Sequence, residues 1–151
     1  NGTLWACGDN QIGSLGDNTI VSKSSPVQIG ALTTWSIISA GNGFNLSIKT
    51  DGTLWAWGYN NVGQLGQNDT ANRSSPVQIG ALTNWAKIFA GDGVAIAAKT
   101  DGTLWSWGVN TYGQLGQNDT GISRSSPVQI GSGAPWSVVA TGSSTSFAIS
   151  S

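Results

Sequence analysis

Hydrophobic and polar positions alternate along this chain in short bursts separated by glycine-rich punctuation. In "TLWAWG" (53–58), Leu54 and Ala56 fall on one side and Trp55 and Trp57 on the other, the period-2 pattern of a β-strand. "FNLSIK" (44–49) alternates in the same way. Between the two runs stand Thr50, Asp51 and Gly52. An Asp-Gly pair joining alternating segments predicts a β-hairpin, because glycine reaches the positive φ that such turns require. "PVQIG" (76–80) predicts a short strand opened by proline, where the missing N–H is tolerated, and "WAKIFAG" (85–91) predicts a fourth strand. With glycine every few residues and helix formers scarce, the pattern supports no helix.

The same pattern is written three times. "NGTLWACGDNQIGSLGDNTI" (1–20), "DGTLWAWGYNNVGQLGQNDT" (51–70) and "DGTLWSWGVNTYGQLGQNDT" (101–120) open three units over residues 1–50, 51–100 and 101–151. Gly2, Gly52 and Gly102 keep a step of 50 residues; Pro127 follows Pro76 at 51, because "NDTGISRSSP" carries one residue more than "NDTANRSSP". Four short strands per unit of this length predict the blades of a β-propeller, an all-β fold, rather than a helical solenoid. The small pairs Ala40-Gly41, Ala90-Gly91 and Thr141-Gly142 suit the strand nearest a crowded central axis. The repeated Trp5, Trp55, Trp57, Trp105 and Trp107 are expected to pack between blades, each burying on the order of 150–250 Å². Cys7 stands where the later copies have Trp57 and Trp107, and reads as a buried substitute rather than a reactive thiol.

Charge narrows the function classes. Six Lys/Arg face seven Asp, with no Glu and no His, for a net charge of −1. No basic run provides the electrostatic footprint of a nucleic-acid binder, and the longest apolar stretches are too short for membrane insertion. Without His, Glu or a usable Cys, the acid–base repertoire shrinks to Asp, Lys and Tyr, so no enzyme and no catalytic residue is expected. Asp51 and Asp101 occupy the hairpin turn, where Asp is favoured for backbone reasons. The "NDT" at 68–70 and 118–120 offers oxygen atoms, but calcium needs six or more ligands; Asx-turn capping is the expectation, and no metal or cofactor. "GQLG" at 63–66 and 113–116 lacks the Lys-Ser/Thr pair and the following helix of a phosphate loop.

"DGTLWAWGxNxxGQLG" followed by "SSPVQI" and "AGxG" resembles the repeat of the regulator of chromosome condensation family, over all three units. The resemblance implies a seven-bladed propeller, of which this chain would supply three four-stranded blades. The family's usual signature has a His three residues after the AG glycine; here those positions hold Phe44, Val94 and Thr145. The family's guanine-nucleotide exchange on a small GTPase at chromatin rests on loop residues and a basic tail that are not matched here. Similar repeats serve as binding modules in a secreted bacterial inhibitor of β-lactamases, and occur in bacterial surface proteins and bacteriophage structural proteins. The near-identity of the three units resembles those prokaryotic and viral versions.

Aligned on one another, the units place Asn1 at the register of Asp101 and Ser151 at that of Thr100, so both ends fall inside a hairpin turn. The expectation is a ring completed by the rest of a longer chain, with a second copy or a partner protein as alternatives. Residues shared by every copy hold blades together, whereas residues that differ between copies are under no common packing demand. These include Asp9/Tyr59/Val109, Gln11/Asn61/Thr111, Ile12/Val62/Tyr112, and the loops at 19–24, 70–74 and 120–125. Tyr59, Asn61, Val62, Thr111 and Tyr112 form the candidate interaction rim, with the two tyrosines as aromatic anchors. The sequence thus points to a non-enzymatic structural and protein-binding module of a larger assembly, at a virion or cell surface. A lectin-like propeller that binds glycans is the alternative, and a small-GTPase regulator is third.

Overall fold

The computed structural model describes residues 2–131 and 136–150; Asn1 and Ser151, the positions that set the register of the two ends, lie outside them. The described residues form twelve strands and no helix. In chain order these are β1 (Trp5–Gly8), β2 (Lys23–Gln28), β3 (Trp35–Ala40), β4 (Phe44–Lys49), β5 (Leu54–Gly58) and β6 (Arg73–Gln78), then β7 (Trp85–Ala90), β8 (Val94–Lys99), β9 (Leu104–Gly108), β10 (Arg124–Ile130), β11 (Trp136–Thr141) and β12 (Ser146–Ser150). Every pairing is antiparallel between strands consecutive in sequence. Strands β3 to β6 and β7 to β10 make two complete four-stranded sheets, while β1-β2 and β11-β12 make two two-stranded ones. Each unit does contribute four strands, but a sheet takes two from one unit and two from the next. The three units therefore give two complete blades flanked by two half-blades instead of three whole blades.

The Asp-Gly hairpin causes this offset. Gly52 has φ +78°, its N–H donates to the Lys49 carbonyl at 2.9 Å, and Asp51 Oδ1 accepts from the Thr53 N–H at 3.0 Å and from Thr53 Oγ1 at 2.6 Å. The same bonds recur at Asp101 and Thr103. The turn joins β4 to β5 and β8 to β9, and so bridges consecutive sequence units.

The alternation in β5 sets the core. Leu54 and Ala56 are fully buried on one face. On the other, the two tryptophans play different parts. Trp57 and Trp107 are buried, and each indole N–H donates to a carbonyl of the preceding unit's loop: Trp57 to Ser14 at 3.1 Å, Trp107 to Gln64 at 2.9 Å. Trp55 and Trp105 instead pack edge-on against Trp35 and Trp85 of their own sheets, with ring centroids 5.9 and 6.0 Å apart. They are covered by Lys49 and Lys99, whose Nζ atoms lie 3.3 and 3.8 Å from the ring centroids. Trp5, in the same register, is 55% exposed among the described residues. Cys7 is exposed as well, contrary to the buried substitute expected of it. Trp57 and Trp107 are covered by the loop of the unit before them, and among the described residues no such loop lies over Trp5 or Cys7.

The strands β3, β7 and β11 lie side by side at the inner end of the sheets. The Ala90 N–H donates to Ser39 Oγ at 3.0 Å, and the Asn42 N–H to the Gly91 carbonyl at 3.1 Å. A Cβ at Gly41 would fall 2.6 Å from the Gly91 carbonyl oxygen, which is why this strand ends in Ala-Gly.

Outside the strands, one buried asparagine organises each long loop. Asn60 Oδ1 accepts from the Leu65 N–H at 2.9 Å, while its Nδ2 donates to the Asp69 and Ala71 carbonyls and to Asp69 Oδ1, at 3.0 to 3.1 Å. Asp69 also pairs with Arg73, as Asp119 does with Arg124. The first unit has Thr19 at the position of Asp69, and Asp17 takes over from two residues earlier: it accepts from Asn10 Nδ2 at 3.0 Å and lies 3.6 Å from Lys23 Nζ.

Two outcomes are expected. Trp107→Ala removes a fully buried indole and its bond to the preceding blade, and should lower stability by about 3–5 kcal/mol in a urea titration; an unchanged midpoint overturns the wedge. The second concerns pH. Bonds from Thr19 hold Asp17 below the ordinary carboxylate value of 3.8, bonds from Ala71 and Arg73 do so for Asp69, and bonds from Thr53 and Thr103 do so for Asp51 and Asp101. A carboxylate depressed in the folded state stabilises fully above its unfolded value, and that stability is lost as pH falls through the folded one. The urea midpoint should thus stay level from pH 7 to about 5 and fall below about pH 4, with Asp69→Asn removing part of the fall.

Candidate functional site

The glycine-rich loops that follow β5 and β9 and the tight turns that follow β3, β7 and β11 meet at one mouth of the propeller. They enclose an open groove of about 570 Å³. Tyr59, Asn61, Val62, Thr111 and Tyr112 all line it, joined by Ile12 and Val109. These seven come from the three sets of adjacent positions that differ between copies. Asp9 and Gln11, the first-copy members of two of those sets, are not among the lining residues.

The loop geometry explains the convergence. In "NxxGQLG" the asparagine is turned inward, so the two residues after it point outward at the loop tip. Gln64 and Gln114, almost completely buried, stiffen that tip: Gln64 Oε1 accepts from the Val62 N–H at 3.0 Å and Gln114 Oε1 from the Tyr112 N–H at 2.8 Å. Each tip leans over the next blade's turn. Ile12 and Tyr59 both lie over Gly43, and Val62 and Val109 over Gly93. Tyr112 lines a shallow extension of the groove with Ser144 and Phe147, and is 72% exposed.

Toward the axis, three turn residues complete the floor. Asn42 Nδ2 donates to Asp92 Oδ1 at 2.9 Å, and Ser143 occupies the corresponding position in the third unit. Among the described residues Asp92 is the one charged side chain lining the groove. Sequence reading missed these three, although the signal was the same: Asn42, Asp92 and Ser143 differ between copies inside the constant "AG" context.

The variable loops at 19–24, 70–74 and 120–125 do not reach this groove. Their exposed Ile20, Val21 and Ile122 lie apart from it, and Arg73 and Arg124 are engaged by Asp69 and Asp119. Two smaller clefts of about 300 and 370 Å³ repeat between the blades, one beside Trp35 and Trp55 and the other beside Trp85 and Trp105. Their walls are built mainly from residues common to the copies. Among the described residues no three His, Cys, Asp or Glu side chains gather where they could hold a metal ion. What the groove can do chemically is recognise: two tyrosine faces, several amides and hydroxyls, and one carboxylate.

The regulator of chromosome condensation (RCC1) repeat matches residues 1–48, 51–98 and 101–149, and a second form of the same repeat matches 35–64 and 85–114, spans that run across the Asp-Gly hairpin. Compared by sequence, the chain matches no curated protein. Among solved structures it superposes on yeast RCC1 (Prp20) bound to Kap60 with a TM-score of 0.83 at 23% identity, over 99% of this chain and 38% of that one. Prp20p from Saccharomyces cerevisiae, whose structure was described with its binding to Gsp1p and histones, gives 0.81 at 20% identity over 98% and 39%. Human WBSCR16 gives 0.80 at 23% over 92% and 38%. The chain thus spans less than two fifths of the length of these solved structures. Three matched repeats, twelve antiparallel strands and this likeness of fold agree: the chain belongs to the regulator of chromosome condensation repeat family and is built as β-propeller blades.

Proposed function

We propose that this chain is a non-catalytic protein-binding part of a larger assembly, at a virion or cell surface, and that it meets its partner through the groove at the propeller mouth. One observation carries the reading: the variable residues of the loop tips (Ile12, Tyr59, Asn61, Val62, Val109, Thr111 and Tyr112) converge on a single groove with the variable Asn42, Asp92 and Ser143, while shared residues build the strands and blade contacts. A scaffold that repeats almost unchanged while its mouth varies is organised for recognition. The relatives described with Kap60, Gsp1p and histones support protein partners for such propellers. The exposed Tyr112 offers an aromatic anchor of the kind that concentrates binding energy at protein interfaces. Sparse charge and an absence of His and Glu fit a stable scaffold better than a catalyst.

A glycan is the second reading, favoured by one feature: an exposed tyrosine ring shares the groove with Asn, Asp and Thr side chains that could bond sugar hydroxyls. A photo-crosslinking amino acid placed at Asn61 or Tyr112 of the protein in its native cells separates the two. Cross-links to a protein from these positions, and none from Leu82 in an inter-blade cleft, are expected. Binding on a glycan array that is lost with Tyr59→Ala and Tyr112→Ala would overturn the protein reading. Faster nucleotide release from a small GTPase would overturn the non-catalytic one.

A further inference from the structure

The chain has seven aspartates, and six of them are committed to holding its own structure. Asp51 and Asp101 close the hairpin turns on Thr53 and Thr103. Asp17, Asp69 and Asp119 bond the buried loop asparagines and pair with Lys23, Arg73 and Arg124. Asp9 accepts from Ser22 Oγ at 3.1 Å. Asp92 differs from all of these. Among the described residues it caps no turn and pairs with no cation, its one bond being the 2.9 Å contact from Asn42 Nδ2, which leaves Oδ2 open. It is exposed on the groove floor, and no Lys or Arg lines that groove. The fold does not call for an acid here either, since the preceding and following units carry Asn42 and Ser143 at the same place.

From this, and resting on the protein-binding reading above, we infer that the groove accepts a lysine or arginine side chain from a loop of the partner protein, with Asp92 as its counter-charge and Tyr59 and Tyr112 flanking the inserted stem. Three features make the fit. The carboxylate is the sole charge in the groove, so an entering cation meets attraction and no competing ammonium or guanidinium. Asn42 fixes the carboxylate from one side and leaves the other oxygen to accept a charge-assisted bond. Aromatic rings at the wall suit the apolar stem of such a side chain, and a cation can also lie over a ring face. A concave groove with these groups takes a protruding loop better than a flat surface.

The test selects disulfide-closed loops of random sequence, displayed on phage, against the wild-type protein. The loops are then measured on Asp92→Asn and Tyr112→Ala. Asp92→Asn keeps the fold, because Asn is native at this position one unit earlier. The expected result is a shared Lys or Arg in the selected loops, with a loss of affinity of about tenfold or more on Asp92→Asn. A charge swap should restore binding: loops with that Lys changed to Glu should bind Asp92→Lys. Loops that lose affinity on Tyr112→Ala but carry no common basic residue would overturn the assignment of the cation and leave the groove as the protein-binding site. Loops indifferent to both substitutions would overturn the site itself.

Discussion

The structure depends on one contact that is made between units rather than within them: an indole N–H of β5 or β9 bonded to a loop carbonyl of the unit before. Trp57 reaches Ser14 and Trp107 reaches Gln64, each with its ring buried between sheets. Burying 150–250 Å² of indole is worth on the order of 4–6 kcal/mol, and the N–H must find a partner because an unsatisfied donor in that setting costs about 1–3 kcal/mol. The carbonyl that answers lies in the glycine-rich loop, two residues before Gly16 or Gly66. The wedge therefore fixes the angle between blades and the conformation of the loop together.

That coupling explains how the mouth is built. The loop of the second unit is gripped from below by Trp107, from within by Asn60 and at the tip by Gln64. Two residues are left facing outward, and their backbone is already set before any partner arrives. Side chains there change from Ile12 to Val62 to Tyr112, and Ile12 and Val62 lie over the turn of the next blade at Gly43 and Gly93. The first unit shows how far the supports can be rewritten: Asp17 and Lys23 replace Asp69 and Arg73 with the aspartate shifted by two residues, and the asparagine is held all the same.

Strand content, hairpin turns and family were legible because they are local. Period-2 alternation in "TLWAWG" and the Asp-Gly pair need no knowledge of distant residues, and three copies make chance agreement negligible. The rim at Tyr59, Asn61, Val62, Thr111 and Tyr112 was marked by comparing the copies, and the structure gathers all five in one groove. Asn42 and Asp92 could have been marked by the same comparison but were masked by the glycines beside them.

What the sequence alone determined was the repeat, its four strands, its turns and the positions free to vary, since each follows from backbone preference and side-chain periodicity within about twenty residues. Only the tertiary structure decided the rest. It cut the sheets across the unit borders, because the hairpin joins strands of consecutive units. It separated Trp57 from Trp55: both rings pack on Trp35, but Trp57 is held by a loop carbonyl of the preceding blade whereas Trp55 is covered by Lys49. It left Trp5 and Cys7 exposed, because among the described residues no loop like those over Trp57 and Trp107 lies against them. And it brought residues some fifty positions apart to one groove, because stacking blades side by side sets equivalent loops next to one another, a juxtaposition that no local pattern in the chain encodes.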